Sequence, residues 1–94
     1  MGEITHRSFF NENVQSLSYA DSVGLEVRVG IALPGKYDFG VADKTEIIEV
    51  LCGEIIINGK AFDSGSSSCR IEPGQNIVFE VQDEAAFYEC TLIP

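Results

Sequence analysis

The sequence predicts an all-β chain closed into a barrel or sandwich, and three observations carry that reading. Nowhere do apolar residues recur at the 3.6-residue spacing of a long amphipathic helix. Short β-branched and aromatic runs stand in their place, several with the period-2 alternation of a half-buried strand. Turn formers separate the runs, among them Pro34-Gly35, Asn58-Gly59 and Pro73-Gly74. Roughly eight to ten short strands at about 8–12-residue spacing follow, a pattern that hides its edges by closing on itself.

The first run is Val14 to Tyr19, where apolar and polar residues alternate, and Asp21-Ser22 mark the turn after it. From Leu25 to Leu33 the odd positions form an aliphatic stripe, Leu25, Val27, Val29, Ile31 and Leu33. Glu26, Arg28, Gly30 and Ala32 share the opposite face. After Pro34-Gly35, Lys36 to Phe39 alternates again and puts Tyr37 and Phe39 on one side. Asp43-Lys44-Thr45 is polar and turn-like, and Glu46 to Leu51 is strongly β-prone before Cys52-Gly53. Glu54 to Ile57 runs into Asn58-Gly59, the strongest short hairpin signal, and Lys60 to Phe62 returns from it. Asp63 to Ser68 is a loop, Cys69 to Ile71 a short strand, and Asn76 to Val81 and Ala86 to Leu92 are the last two.

At 94 residues the chain is read as a single domain, with residues 1–8 as a loose N-terminal segment. A domain of this size buries only about two thirds of its unfolded surface, so a homodimer is expected to supplement a thin core. Fifteen acidic and six basic residues give a formal net charge of −9. Nucleic-acid binding needs a basic face to displace phosphate counterions, and this composition does not supply one. The same argument disfavours an anionic membrane surface, and no run approaches the roughly 20 apolar residues of a span. Cys52, Cys69 and Cys90 are odd in number and form no C-x-x-C pair. Free thiols in a reducing cytoplasm are expected, and no signal peptide precedes them.

His6 is the one histidine, no cluster has zinc-site spacing, a His-based nucleophile pair would have to recruit this terminal residue, and no cofactor is expected. No P-loop, G-x-G-x-x-G or G-x-S-x-G occurs. The segment from Gly35 through Val41, Asp43 and Glu46 to Gly53 is more informative. Its outline resembles the first motif of the cupin barrel, with Val41 and Asp43 where metal-binding histidines would stand. Gly65 and Pro73-Gly74 echo the second motif, again without histidine. A single cupin-like β-barrel or jelly roll without its metal site is the implied fold.

The order Phe9-Phe10, Val14-x-Ser16-Leu17, Val29-Gly30, Pro34-Gly35-x-Tyr37-x-Phe39, Glu46, Val50, Gly53 and Tyr88-x-Cys90 narrows this further. It resembles the pyrimidine/purine nucleoside phosphorylases, a family of tiny metal-free cupins, over nearly the whole chain. The chain departs from that pattern at Val41, where members often carry Thr, at Phe62, where Trp is common, and at Leu92, where an aromatic often closes the chain.

The resemblance implies broad-specificity phosphorolysis, in which a nucleoside and inorganic phosphate give free base and ribose-1-phosphate. Such chemistry rests on positioning and electrostatics. Arg28 is the candidate for the phosphate, because a guanidinium binds phosphate bidentately; the alternative is an Arg paired with Glu26, and Arg70 stands second. Glu46 is the candidate for ribose hydroxyls or base, the alternative being a surface carboxylate that opens a strand. Tyr37, Phe39 and Tyr88 either line the pocket or are plain core, Asp43 is a weaker ligand contact, and Cys90 is read as core. Two rivals are a non-catalytic module that binds a small metabolite and a metal-dependent oxygenase or isomerase of the wider cupin class.

Overall fold

A computed structural model describes residues 3–94. In chain order the strands are β1 (Thr5–Phe9), β2 (Val14–Ala20), β3 (Glu26–Ala32), β4 (Gly35–Val41), β5 (Thr45–Cys52), β6 (Glu54–Ile57), β7 (Lys60–Asp63), β8 (Cys69–Ile71), β9 (Asn76–Val81) and β10 (Ala86–Ile93). One sheet has the order β1-β2-β3-β10-β5-β8 and the other β4-β9-β6-β7, with antiparallel neighbours throughout. The two sheets face each other across one apolar core, the sandwich or jelly-roll arrangement of a cupin-like fold. No helix among the described residues is long and apolar enough to cross a membrane.

The core draws on both sheets. Val14, Ile48 and Ile71 from the first and Ile55 and Ile57 from the second are almost completely buried. Each such side chain removed from water contributes roughly 1.5–3 kcal/mol. The Asn58-Gly59 hairpin forms as expected, with both residues at positive φ (50° and 85°) between β6 and β7. Asn58 also ties this turn to β9: its amide donates to the Asn76 carbonyl (2.8 Å), and its side-chain oxygen accepts from the Val78 N–H (2.9 Å).

Residues 5–8, read from sequence as part of a loose end, form with Phe9 the edge strand β1, paired with β2 from Thr5↔Ser18 to Phe9↔Val14. It shows no hydrophobic alternation because it is exposed along most of its length. Its connection to β2 places three consecutive non-glycine residues, Phe10, Asn11 and Glu12, at positive φ, a conformation L-residues adopt at a cost. The Phe10 ring packs on Tyr37 and Phe39, at 5.1 and 5.3 Å between centroids, and anchors that turn.

Strand β3 turns its more polar side inward. Glu26, Arg28, Gly30 and Ala32 look toward the opposing sheet, whereas Val29 and Ile31 line a shallow outer groove with Leu17 and Phe87. Gly30 is required by a close approach. A Cβ there would lie 2.5 Å from Cζ and 2.6 Å from the hydroxyl of Tyr88, whose ring crosses the glycine. That ring is buried and packed edge-on against Phe79, so an added Cβ must push it out of this contact. Gly30→Ala is therefore expected to lower stability by about 1–3 kcal/mol through overpacking, read as a drop in the urea midpoint. An unchanged midpoint would show that Tyr88 does not occupy this place.

Candidate functional site

Between the sheets, near the open end bounded by β1 and the β4–β5 connection, lies a cavity of about 180 Å³. Its floor is the first sheet: Ser16 from β2, Arg28 from β3, Tyr88 and Cys90 from β10, and Glu46 and Ile48 from β5. Register explains the grouping. Cys90 is the cross-strand partner of both Arg28 and Ile48, and Tyr88 is the partner of Gly30. Directly paired residues project to one face, so the floor is one inward-facing patch across four adjacent strands.

The roof and mouth are Phe39, Val41, Ala42, Asp43, Ile77 and Phe79, with Phe9 at the side. Two features hold the mouth. The β4–β9 ladder breaks between Asp38 and Val41, where Gly40 has a φ of 85°, and such a bulge re-aims the residues that follow. The Ala42 N–H then donates to the Gln75 carbonyl (2.8 Å), while the Ala42 carbonyl accepts from the Gly74 N–H (2.9 Å). The Pro73-Gly74 turn thus clamps the β4–β5 connection over the cavity.

Arg28 and Glu46 line this one cavity from different strands. The Arg28 Nε donates to Glu26 at 2.9 Å, with both side chains about one third exposed (29% and 34%). The partner weighed for Arg28 from sequence is therefore present. It engages Nε alone, and among the described residues neither Nη group is hydrogen-bonded. Glu46 accepts a hydrogen bond from the Cys90 thiol at 3.1 Å. Cys90, read from sequence as core, is buried and also the group that orients the Glu46 carboxylate toward the cavity.

Phe39, Asp43 and Tyr88 join them in the lining, Asp43 at the exposed mouth. Tyr37 does not. It is buried outside the lining, and its hydroxyl donates to the carbonyls of Leu33 (2.6 Å) and Pro34 (3.1 Å), bracing the β3–β4 turn. Tyr37 and Phe39 share one side, as alternation predicts, and both pack on Phe10; Tyr37 sits at the β3–β4 end of the strand, and only Phe39 reaches the cavity. Arg70 is exposed and paired with Glu72 at 2.7 Å, away from the site. Ser16, Phe9 and Phe79 line the cavity without being candidate site residues in the sequence. Ser16 had a signal, since it shares a face with the apolar Val14 in the β2 alternation. Phe9 and Phe79 reach the site through topology, which periodicity does not carry.

Burial raises the pKa of both Tyr88 and Cys90. The phenol of Tyr88 is pushed from 10.0 to about 12, chiefly by desolvation. The Cys90 thiol is pushed well above 9.0, first by desolvation and then by the adjacent Glu46 carboxylate. The folded state therefore keeps protons that the unfolded chain releases, and stability must fall as pH rises past the unfolded values. We expect a plateau below about pH 9 and, above it, a loss of about 1.4 kcal/mol per pH unit for each group in its window. Urea titrations from pH 8 to 11 measure this. Cys90→Ser should flatten the curve between pH 9 and 10, and an identical curve would contradict the placement of Cys90.

Among the described residues, no three His, Cys, Asp or Glu side chains stand together as a metal-binding group. The cavity's chemistry is one guanidinium, two carboxylates, hydroxyls of Ser16 and Tyr88, and an aromatic wall. A protein of unknown function from Vibrio parahaemolyticus superposes with a TM-score of 0.84 at 30% identity, covering 95% of this chain and 97% of that one. One from Acinetobacter, at 20% identity, shares the fold with a TM-score of 0.83 over 99% of this chain and 93% of its own. A protein from Leptospira interrogans named pyrimidine/purine nucleoside phosphorylase is 34% identical over 79 residues, 84% of this chain and 69% of its own length. The family model for pyrimidine/purine nucleoside phosphorylase matches residues 4–91, almost the span of the two sheets, and the chain belongs to that family.

Proposed function

We propose that this protein is a nucleoside phosphorylase of broad base specificity. A phosphate oxygen attacks C1′ of the ribose, the C1′–N bond breaks, the base leaves with the electron pair, and ribose-1-phosphate forms. The observation that carries the reading is the presence of Arg28 and Glu46 in one cavity, a cation and a carboxylate on separate strands of one floor. Arg28 offers its free Nη fork to phosphate. Glu46, oriented by the Cys90 thiol, and Asp43 at the mouth accept hydrogen bonds from ribose hydroxyls. Phe39 and Tyr88 give the sugar and base an aromatic wall.

Cavity size supports broad specificity. About 180 Å³ lies below the roughly 300–1,000 Å³ of pockets that enclose whole drug-sized ligands. Phosphate and ribose occupy the interior, and the base lies at the mouth between Phe39 and Val41. Apolar contact there stacks any base without reading its edges. The proposal includes a homodimer in the cytoplasm, with a second copy over the outer stripe of Leu17, Val29, Ile31 and Phe87; sedimentation should give twice the 10.3 kDa chain mass.

The test is base release from uridine, cytidine, adenosine, inosine and guanosine, with and without phosphate and with added chelator. Phosphate-dependent release from both purine and pyrimidine nucleosides is expected, unaffected by chelator. A folded protein that releases no base would transfer the cavity to the rival reading, a metabolite-binding module.

A further inference from the structure

One fully buried polar side-chain atom of the cavity lacks a partner among the described residues. Ser16 is 3% exposed, its hydroxyl oxygen is buried without a hydrogen bond, and it forms part of the cavity floor. Buried hydroxyls in native proteins are rarely left unpaired, because desolvation then goes uncompensated. A hydroxyl stranded at a cavity wall fits a group whose partner arrives with the ligand.

Register says which ligand group it meets. Ser16 is the cross-strand partner of Gly30, two residues along β3 from Arg28. Ser16 and Arg28 are thus diagonal neighbours on one face, roughly 7–8 Å apart along the sheet, and the Tyr88 ring takes the place that a Gly30 side chain would fill. Glu46 lies three strands away in the order β2-β3-β10-β5, which is roughly 14 Å at the usual strand spacing. Arg28 is the one cation in the lining. On a chain of net charge −9, an anion is held only where local donors converge, and this end of the floor is where they do.

We propose that Ser16 is a phosphate-binding residue: its hydroxyl and the Arg28 Nη groups donate to different oxygens of the attacking phosphate. The assignment rests on reading the cavity as a phosphorylase site, and it adds a second donor from another strand. Two fixed donors hold a tetrahedral anion in one orientation, where a single guanidinium leaves it free to pivot. Orientation of the nucleophile toward C1′ is what the reaction requires.

The experiment uses the whole chain as wild type, Ser16→Ala and, as a control, Ser18→Ala. Ser18 is also buried and pairs with Arg28 across the strands, but it is not in the lining. Melting temperature is measured in phosphate against chloride at equal ionic strength, and KM for phosphate and for nucleoside are measured separately. Ser16→Ala should raise the ligand-free melting temperature by a few degrees, because it removes an unsatisfied polar group. It should also raise KM for phosphate at least 10-fold, the scale of one charge-assisted hydrogen bond, with nucleoside KM changed less than 2-fold and Ser18→Ala matching wild type in phosphate KM. An unchanged phosphate KM in Ser16→Ala, an equal rise in nucleoside KM, or a lower ligand-free melting temperature would overturn the Ser16 assignment and leave the phosphorylase reading intact. If wild type neither releases base nor gains stability from phosphate, the phosphorylase reading fails and the assignment falls with it.

Discussion

Arg28→Ala is expected to lower kcat/KM for phosphate by about 100- to 1,000-fold, the effect of removing a donor aimed at charge in a reacting group. The fold should survive the change. Arg28 and Glu26 are each about one third exposed, and an ion pair that wet contributes under about 1 kcal/mol. Removing the guanidinium also leaves Glu46 and Asp43 without a cation in the cavity lining, which repels phosphate further. Arg28→Lys separates the two contributions. It restores the charge but not the planar fork, so recovery should be partial. Activity of Arg28→Ala within threefold of wild type, with normal far-ultraviolet dichroism, would show that phosphate is held elsewhere.

What the sequence disclosed about this architecture follows from where each signal resides. Nine strands are legible because their alternation or their turn residues are local, as at Asn58-Gly59 and Pro73-Gly74. Strand β1 is not, since an exposed edge strand such as Thr5–Phe9 has no buried face to write a pattern. The direction of β3 is misleading for a related reason. An aliphatic stripe usually marks the interior, yet here Val29 and Ile31 lie outside and the cavity takes the Arg28 face. The chemistry that the family resemblance implies points to Arg28, Glu46, Phe39, Asp43 and Tyr88, which the fold gathers from β3, β4, β5, β10 and the β4–β5 connection. It also singles out Tyr37, whose hydroxyl is consumed by the Leu33 and Pro34 carbonyls. The alternation of β2 puts Ser16 on the Val14 face, but its role in the cavity is visible only once its missing hydrogen bond can be seen.

Phe79→Ala is expected to be the most damaging single truncation, at about 3–5 kcal/mol against the 5–15 kcal/mol that typically holds a domain folded. Phe79 is buried on β9 and meets Phe39 at 4.9 Å and Tyr88 at 5.3 Å between ring centroids, both edge-on. Phe39 continues the contact to Phe9 at 6.1 Å. One row of rings therefore joins the second sheet to the floor of the first and extends to the edge strand. Removing its middle member opens space at the cavity, where the walls have no neighbour to collapse onto, so little of the loss is recovered by relaxation. The chain has no tryptophan, so unfolding is best followed by far-ultraviolet dichroism in urea. Phe79→Leu keeps an apolar branch in the row and should fold with a smaller loss, which allows its activity to be read when the alanine variant is too unstable. A loss below about 1 kcal/mol for Phe79→Ala would mean that the sheets do not close on this ring, and the cavity that depends on that closure would have to be redrawn.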